Sequence, residues 1–310
     1  MFPGVGQLAL TVIGGISMAL YSYLIFKLLR EKSHQFKSSY YLLFLLQAAA
    51  DFFVFLSIEL IQKPRKFNYF DLYSEEKHSF AVFSYINLIM CRSFICCGHV
   101  VIALNRLTAF IMPLKYETVW RRSTAVIAVA GLWLVTTIYK LPIVFVHEKF
   151  IQFQWQSDGV LQLLPGNVSR ICVIATAVEN ILTVLLCSVF YVTALTKARG
   201  AYRKQEAQAV ECRLLVCAVA TSLPFIVELL RSITVVVWAP NSDSEVFIVA
   251  TEFWFYEVEV IVMLSFWLQV CINGSARSLV LRGLLRRKSR KHVVANTSSQ
   301  PHLKSISSSQ

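Results

Sequence analysis

Apolar residues in this chain gather into long, nearly unbroken blocks. Seven such blocks follow one another, at roughly 5–29, 40–61, 80–105, 124–146, 171–196, 212–238 and 246–272. A helix rises about 1.5 Å per residue, so about 20 apolar residues cross a hydrocarbon layer of about 30 Å. The blocks predict an all-α fold, a bundle of seven transmembrane helices over residues 1–273. Pro142 and Pro224 fall inside the fourth and sixth blocks. Neighbouring helices can satisfy the carbonyl that a proline frees, so both predict kinks rather than helix ends. The polar intervals are short except for 147–170.

The basic residues set the expected orientation. With the N-terminus outside, the intervals on the inner side and the tail hold 21 of the 30 Lys and Arg residues. They include Lys27 and Arg30, Lys115, Arg121 and Arg122, Lys197, Arg203 and Lys204, and the cluster after residue 273. The outer intervals hold Lys63, Arg65, Lys66, Lys77, Lys149 and Arg170. An excess of Lys and Arg in short cytoplasmic loops fixes orientation, so the expectation is N-terminus outside and C-terminus inside. The first block has Lys27, Arg30 and Lys32 after it and no basic residue before it, the reverse of a signal peptide. It reads as the first membrane helix, with almost no outer tail.

Past the last block, Ala276, Leu279, Val280, Gly283 and Leu284 recur at helical spacing, with Ser278, Arg282, Arg286 and Ser289 opposite. This predicts a short amphipathic eighth helix on the inner membrane surface, its arginines near anionic lipid. The rest of the 274–310 tail, rich in Ser and Lys, predicts disorder.

Composition agrees with a bilayer as solvent: 56% of residues are hydrophobic and 15% charged, against about 25% charged in soluble domains. The net charge of +12 is then a topology signal rather than a mark of nucleic-acid binding. All eight cysteines lie within or at the edges of apolar blocks, which predicts buried thiols and no disulfide framework. Asn167-Val-Ser169 is a glycosylation sequon on the expected outer side.

Ionisable residues inside spans are costly and usually face the bundle interior. Arg92, His99 and Arg106 stand seven residues apart on the third helix, one stripe with about 20° of drift per step. Arg106 falls at the inner mouth and Arg92 roughly 21 Å further out. Arg92 is a ligand-contact candidate, or is neutralised by an acidic neighbour. Arg106 senses the inner state, or snorkels to the surface. Asp51, alone in the second span, would hold an ion or water, or bond to His99 or a hydroxyl. Glu228 and Arg231 can pair with each other at i, i+3. Lys140 is placed to snorkel outward. Glu179 and Glu252 complete the candidates for an outer pocket with Arg92, His99 and Glu228. Glu257 and Glu259 point about 200° apart and cannot share one narrow pocket. Asp71, Glu75 and Glu76 beside Lys63, Arg65, Lys66 and Lys77 read as a solvated outer loop.

No enzyme is expected. His99 is the one histidine in a span, so an intramembrane metal site lacks a second histidine ligand, and no metal or cofactor is expected. There is no HExxH, phosphate-cradling glycine loop or nucleophile elbow.

The segment Ala103-Leu-Asn105-Arg106-Leu-Thr108-Ala-Phe-Ile-Met-Pro113-Leu-Lys115-Tyr116-Glu-Thr-Val-Trp120 resembles the third-helix and inner-loop signature of nematode serpentine chemoreceptors. It looks closest to the gamma class (Srg), with the V class (Srv) as near alternative. The resemblance implies a G-protein-coupled chemosensory receptor in the plasma membrane of sensory neurons, binding a small molecule and a heterotrimeric G protein. Asn105-Arg106 would replace the Asp-Arg-Tyr switch of rhodopsin-like receptors, and Asp51 resembles their second-helix aspartate. Pro113, Lys115, Tyr116, Lys197, Arg203 and Lys204 become G-protein contact candidates. Position 81 is alanine where the rhodopsin-like disulfide cysteine would fall, and the seventh span lacks Asn-Pro-x-x-Tyr. The alternative reading is a polytopic transporter or ligand-gated channel, against which stand the odd helix number and the lack of an internal repeat.

Overall fold

The computed structural model describes residues 5–31, 38–69, 76–146, 148–155, 161–164, 166–201, 206–238 and 245–281. Among the described residues, seven helices are long and apolar enough to cross a membrane. They are α1 (Val5–Arg30), α2 (Ser39–Lys66), α3 (His78–Ile111), α4 (Arg122–Val146), α5 (Gly166–Ala201), α6 (Glu206–Ser222 and Pro224–Trp238) and α7 (Glu245–Ile272). They form the seven-helix bundle that the apolar blocks predict. Leu8, Val12, Ile127, Leu134, Ile138, Leu182, Leu185 and Val189 are exposed. Apolar side chains on that scale match a surface meant for lipid tails rather than water.

Helix α3 is the spine. It packs against α2, α4, α5 and α6 and is the most buried span, whereas α4 is the least. Gly98 sets the approach of α2 to α3: a Cβ there would lie 1.6 Å from the Gln47 Oε1. The Gln47 Nε2 in turn donates to Asp51 at 2.9 Å.

The two prolines sit differently in their helices. Pro142 lies inside the continuous α4. In α6 the helix breaks at Leu223 and restarts at Pro224, with Leu223 and Ile226 held by bonds to carbonyls three residues back. A proline fits the first turn of a helix because its missing N–H is not needed there.

Helix α2 runs further than its apolar block. It is α-helical over Ser39–Ser57, widens to a π-helix over Ile58–Gln62 and closes over Lys63–Lys66. The wide turn sits where Pro64 removes an α-type donor. Lys63, Arg65 and Lys66 are therefore helical and buried, and the solvated-loop expectation for them is overturned. Lys63 and Lys66 find partners inside the bundle that a loop would not have offered.

The 147–170 interval folds as an antiparallel hairpin, β1 (Gln152–Trp155) with β2 (Leu161–Leu164). Ile151, Phe153, Leu161 and Leu163 are buried against Ala81, Val82, Tyr85 and Ile89 of α3, Val144 of α4 and Cys172 of α5. The hairpin thus covers one end of the bundle. Asn167 falls in the first turn of α5.

Residues 274–281 form an eighth helix, α8. The Asn273 Oδ1 caps it, accepting from the amides of Ser275 and Ala276 at 3.2 and 3.4 Å. Ala276 and Val280 join the main core and Leu279 packs on it. The start of the apolar face is thus spent on the bundle rather than on lipid. Gly283, Leu284, Arg282, Arg286 and Ser289 lie outside the described residues.

Gly98→Val is expected to destabilise the bundle by about 1–3 kcal/mol, the usual cost of overpacking. A thermal melt of the detergent-solubilised protein checks this. Gln47→Ala should recover part of the loss, and an unchanged melt for Gly98→Val would show that the contact is slack.

Candidate functional site

A cavity opens beneath the hairpin, with a volume of about 120 Å³ as swept by the centre of a water molecule. Helix α2 contributes Arg65 and Lys66, α3 contributes Tyr85 and Arg92, and β2 contributes Leu161 and Leu163. Helix α5 adds Cys172 and Thr176, α6 adds Arg231 and Val235, and α7 adds Phe247, Glu252, Trp254 and Phe255. An apolar concavity with a few converging polar groups is the usual form of a small-molecule site.

Ion pairs between helices build its walls. The Lys66 ammonium meets Glu252 at 2.5 Å and lies 4.5 Å from the ring centre of Phe255. The Arg231 guanidinium meets Glu228 at 2.5 and 2.8 Å and Glu257 at 3.4 Å. Glu228 also accepts from Asn180 of α5 at 3.3 Å. The Arg92 guanidinium lies 3.7 Å from Glu228 and 4.9 Å from the Trp254 ring. Its Nε is buried with no hydrogen-bond partner.

Two further lysines lie beside this wall. Lys63 bridges Glu59 at 2.6 Å, Glu259 at 2.7 Å and the Thr11 hydroxyl, tying α1, α2 and α7. Lys140 pairs with Glu179 and donates to Ser93 at 2.6 Å, tying α4, α5 and α3. Lys140 is buried, so the expected snorkelling is overturned: a carboxylate on α5 meets the ammonium inside the bundle. Glu257 and Glu259 face different partners, as their helical angle requires.

At the other end of α3, Arg106 is fully buried, which excludes snorkelling. Its Nε and Nη2 donate to the Asn105 Oδ1 at 3.2 and 2.6 Å, and Nη2 donates to the Tyr116 hydroxyl at 2.9 Å. Its guanidinium lies over Tyr40 of α2 at 4.4 Å. The Ser39 hydroxyl bonds to Tyr116 at 2.8 Å, and Trp120 donates to Thr108 at 2.5 Å. The loop after α3 is thereby folded back on α3 and α2. Gln269 bonds to Tyr40, and Asn273 to Tyr41 at 2.8 Å, which brings the end of α7 to the same place.

Between the two ends, Asp51 is fully buried. It accepts from the Tyr21 hydroxyl of α1 at 3.3 Å and from Gln47 at 2.9 Å. A hydroxyl and an amide, not His99, are its partners. The His99 ring lies edge-on to Phe225 at 4.7 Å, with no hydrogen bond at either nitrogen.

Of the five pocket candidates, Arg92 and Glu252 line the cavity. Glu228 stands behind them as the ion-pair hub. Glu179 and His99 lie outside the lining. Pro113 and Lys115 are exposed in the loop after α3, and Lys197 is exposed on α5; Arg203 and Lys204 lie outside the described residues. Arg65, Lys66, Tyr85, Trp254 and Phe255 were not singled out from the sequence. The spacing of Glu59 and Lys63, i to i+4, was the available signal that α2 continues past its apolar block. No pattern marked the aromatics, because aromatic residues are common throughout the spans.

The family model of the serpentine type 7TM GPCR chemoreceptor Srv matches residues 10–284. The V class therefore replaces the gamma class, to which the Asn105–Trp120 segment had looked closest. A match over nearly every helix outweighs a motif of about twenty residues. Curated proteins give no match.

Glu228→Ala is expected to cost about 3–5 kcal/mol, because it strips a buried guanidinium of its main carboxylate. Adding Arg231→Met should restore much of the loss. Thermal melts of the two variants check this, and a double variant no more stable than the single one would contradict it.

Proposed function

Because the chain belongs to the Srv family of serpentine seven-transmembrane chemoreceptors, we propose that it detects a small molecule in the cavity beneath the hairpin and passes the signal to a heterotrimeric G protein at the opposite end of the bundle. The family is one of receptors, and the protein is a multi-pass membrane protein. In this reading the hairpin end faces outward and the N-terminus is outside. Asn167 then stands where a glycan can be added. The membrane is the plasma membrane of sensory neurons.

One observation carries the proposal: a single helix, α3, places Arg92 in the cavity wall and Arg106 in the buried polar cluster at the far end. A ligand shifts a conformational equilibrium only through different affinities for its two states. Closure of α6 and α7 on the ligand would act through Glu228 on Arg92, and so on α3. Asp51, between α1 and α2, occupies the middle of that route. At the inner end, the bonds of Arg106 to Asn105 and Tyr116 hold the loop down. Their release would free the face bearing Pro113, Lys115 and Lys197, with Arg203 and Lys204 next to it in sequence, for the G protein.

Once released, Arg106 would itself contact the G protein, so Arg106→Ala is expected to abolish coupling with surface display retained. Tyr116→Phe removes a hydroxyl that ties Arg106 to Ser39 and should raise basal signalling. Both are read in cells as second-messenger output normalised to surface tag, and unchanged output from both variants would remove the cluster from the switch. Epitope tags at each terminus, read with and without permeabilisation, test orientation. An N-terminal tag hidden in intact cells would sink the receptor arrangement.

A further inference from the structure

We infer that the cavity beneath the hairpin recognises an organic anion, a carboxylate on an apolar or aromatic body, with Arg92 as its anchoring cation; this rests on the ligand-binding role proposed for that cavity. The charges at its wall are unequal. Four cations line it, Arg65, Lys66, Arg92 and Arg231, against one carboxylate, Glu252. Lys66 at 2.5 Å already neutralises Glu252, so the wall keeps an excess of positive charge, which disfavours a ligand amine.

Arg92 differs from the cations around it. Arg231 is held by two carboxylates, with bonds as short as 2.5 Å. Lys66 is held by Glu252. Among the described residues, Arg92 has one carboxylate contact, at 3.7 Å, beyond hydrogen-bonding distance. A guanidinium carries five N–H donors in a planar fork, and the Arg92 Nε is buried without an acceptor. That N–H pays its desolvation without recovering it in a hydrogen bond. A carboxylate offers two oxygens at the spacing of that fork, and the charge-assisted bonds so formed are about twice as strong as neutral ones. The remaining wall suits the rest of such a molecule. Trp254 lies under the Arg92 guanidinium, and Tyr85, Phe247, Leu161 and Leu163 give aromatic and aliphatic contact.

The test uses the full-length protein in phosphatidylcholine nanodiscs and reads the melting midpoint against added probe. The probes are phenylacetate, indole-3-acetate and decanoate, the matching primary amides, and phenethylamine and tryptamine. The expected result is saturable stabilisation by at least one acid, with its amide about 10- to 100-fold weaker and the amines inert. An aryl acid as best binder points to a water-soluble source, and decanoate alone to a lipid-derived one. R92Q should weaken the acid by a similar factor. R92K, which keeps the charge and loses the fork, should weaken it about tenfold and carries the test if R92Q does not fold. Amides or amines binding as well as the acids, acid binding untouched by R92K, or no acid binding at all would overturn the inference. A G-protein readout in cells with the same probes separates the two readings. Arg92-dependent acid binding without a cellular response would sink the receptor role and leave the anion site standing. A cellular response confined to uncharged probes would do the reverse.

Discussion

A charge taken into a helix bundle loses several kcal/mol of hydration, which only a close partner of opposite sign or a set of good donors can offset. This chain places several charges under that constraint. Lys63, Lys66, Lys140 and Arg231 are each met by a carboxylate from a different helix. Each pair is therefore also a statement about helix position. Lys63 fixes α2 against α7, Lys140 fixes α4 against α5, and Glu228 ties α6 to α3. In lipid, apolar packing gives helices little reason to prefer one neighbour over another. The ion pairs supply that preference at the hairpin end of the bundle.

The two ends meet the constraint with different chemistry. At the hairpin end carboxylates answer cations, and the groups surround a cavity. At the opposite end Arg106 is surrounded by an amide, a phenol hydroxyl and an aromatic face. Helix α3 runs from one to the other, and Gly98 lets α2 approach it closely.

Much of this was legible in the residues. The seven apolar blocks located the seven helices, since length and hydropathy alone decide whether a helix can span a bilayer. The seven-residue spacing of Arg92, His99 and Arg106 put them on one stripe, and Arg92 and Arg106 do stand at the two polar sites. His99 shares the stripe and is packed against Phe225, because periodicity gives a face and not a neighbour. The Asn105–Trp120 segment pointed to serpentine chemoreceptors, and the match over residues 10–284 settled the V class.

What the sequence determined by itself is the number of spans, the faces of the helices and the identity of the charges that had to be neutralised. Those follow from local rules: rise per residue, helical period and the cost of a charge in hydrocarbon. Which carboxylate answers which cation was decided only by tertiary structure. Lys140 reaches Glu179 rather than the surface, and Lys63, Arg65 and Lys66 lie in a helix wall rather than a loop. The hairpin's place over the cavity belongs to the same class, for its burial depends on α3, α4 and α5 arriving together. Such pairings join residues far apart in the chain, and their energy turns on a few ångströms of separation that no local spacing encodes.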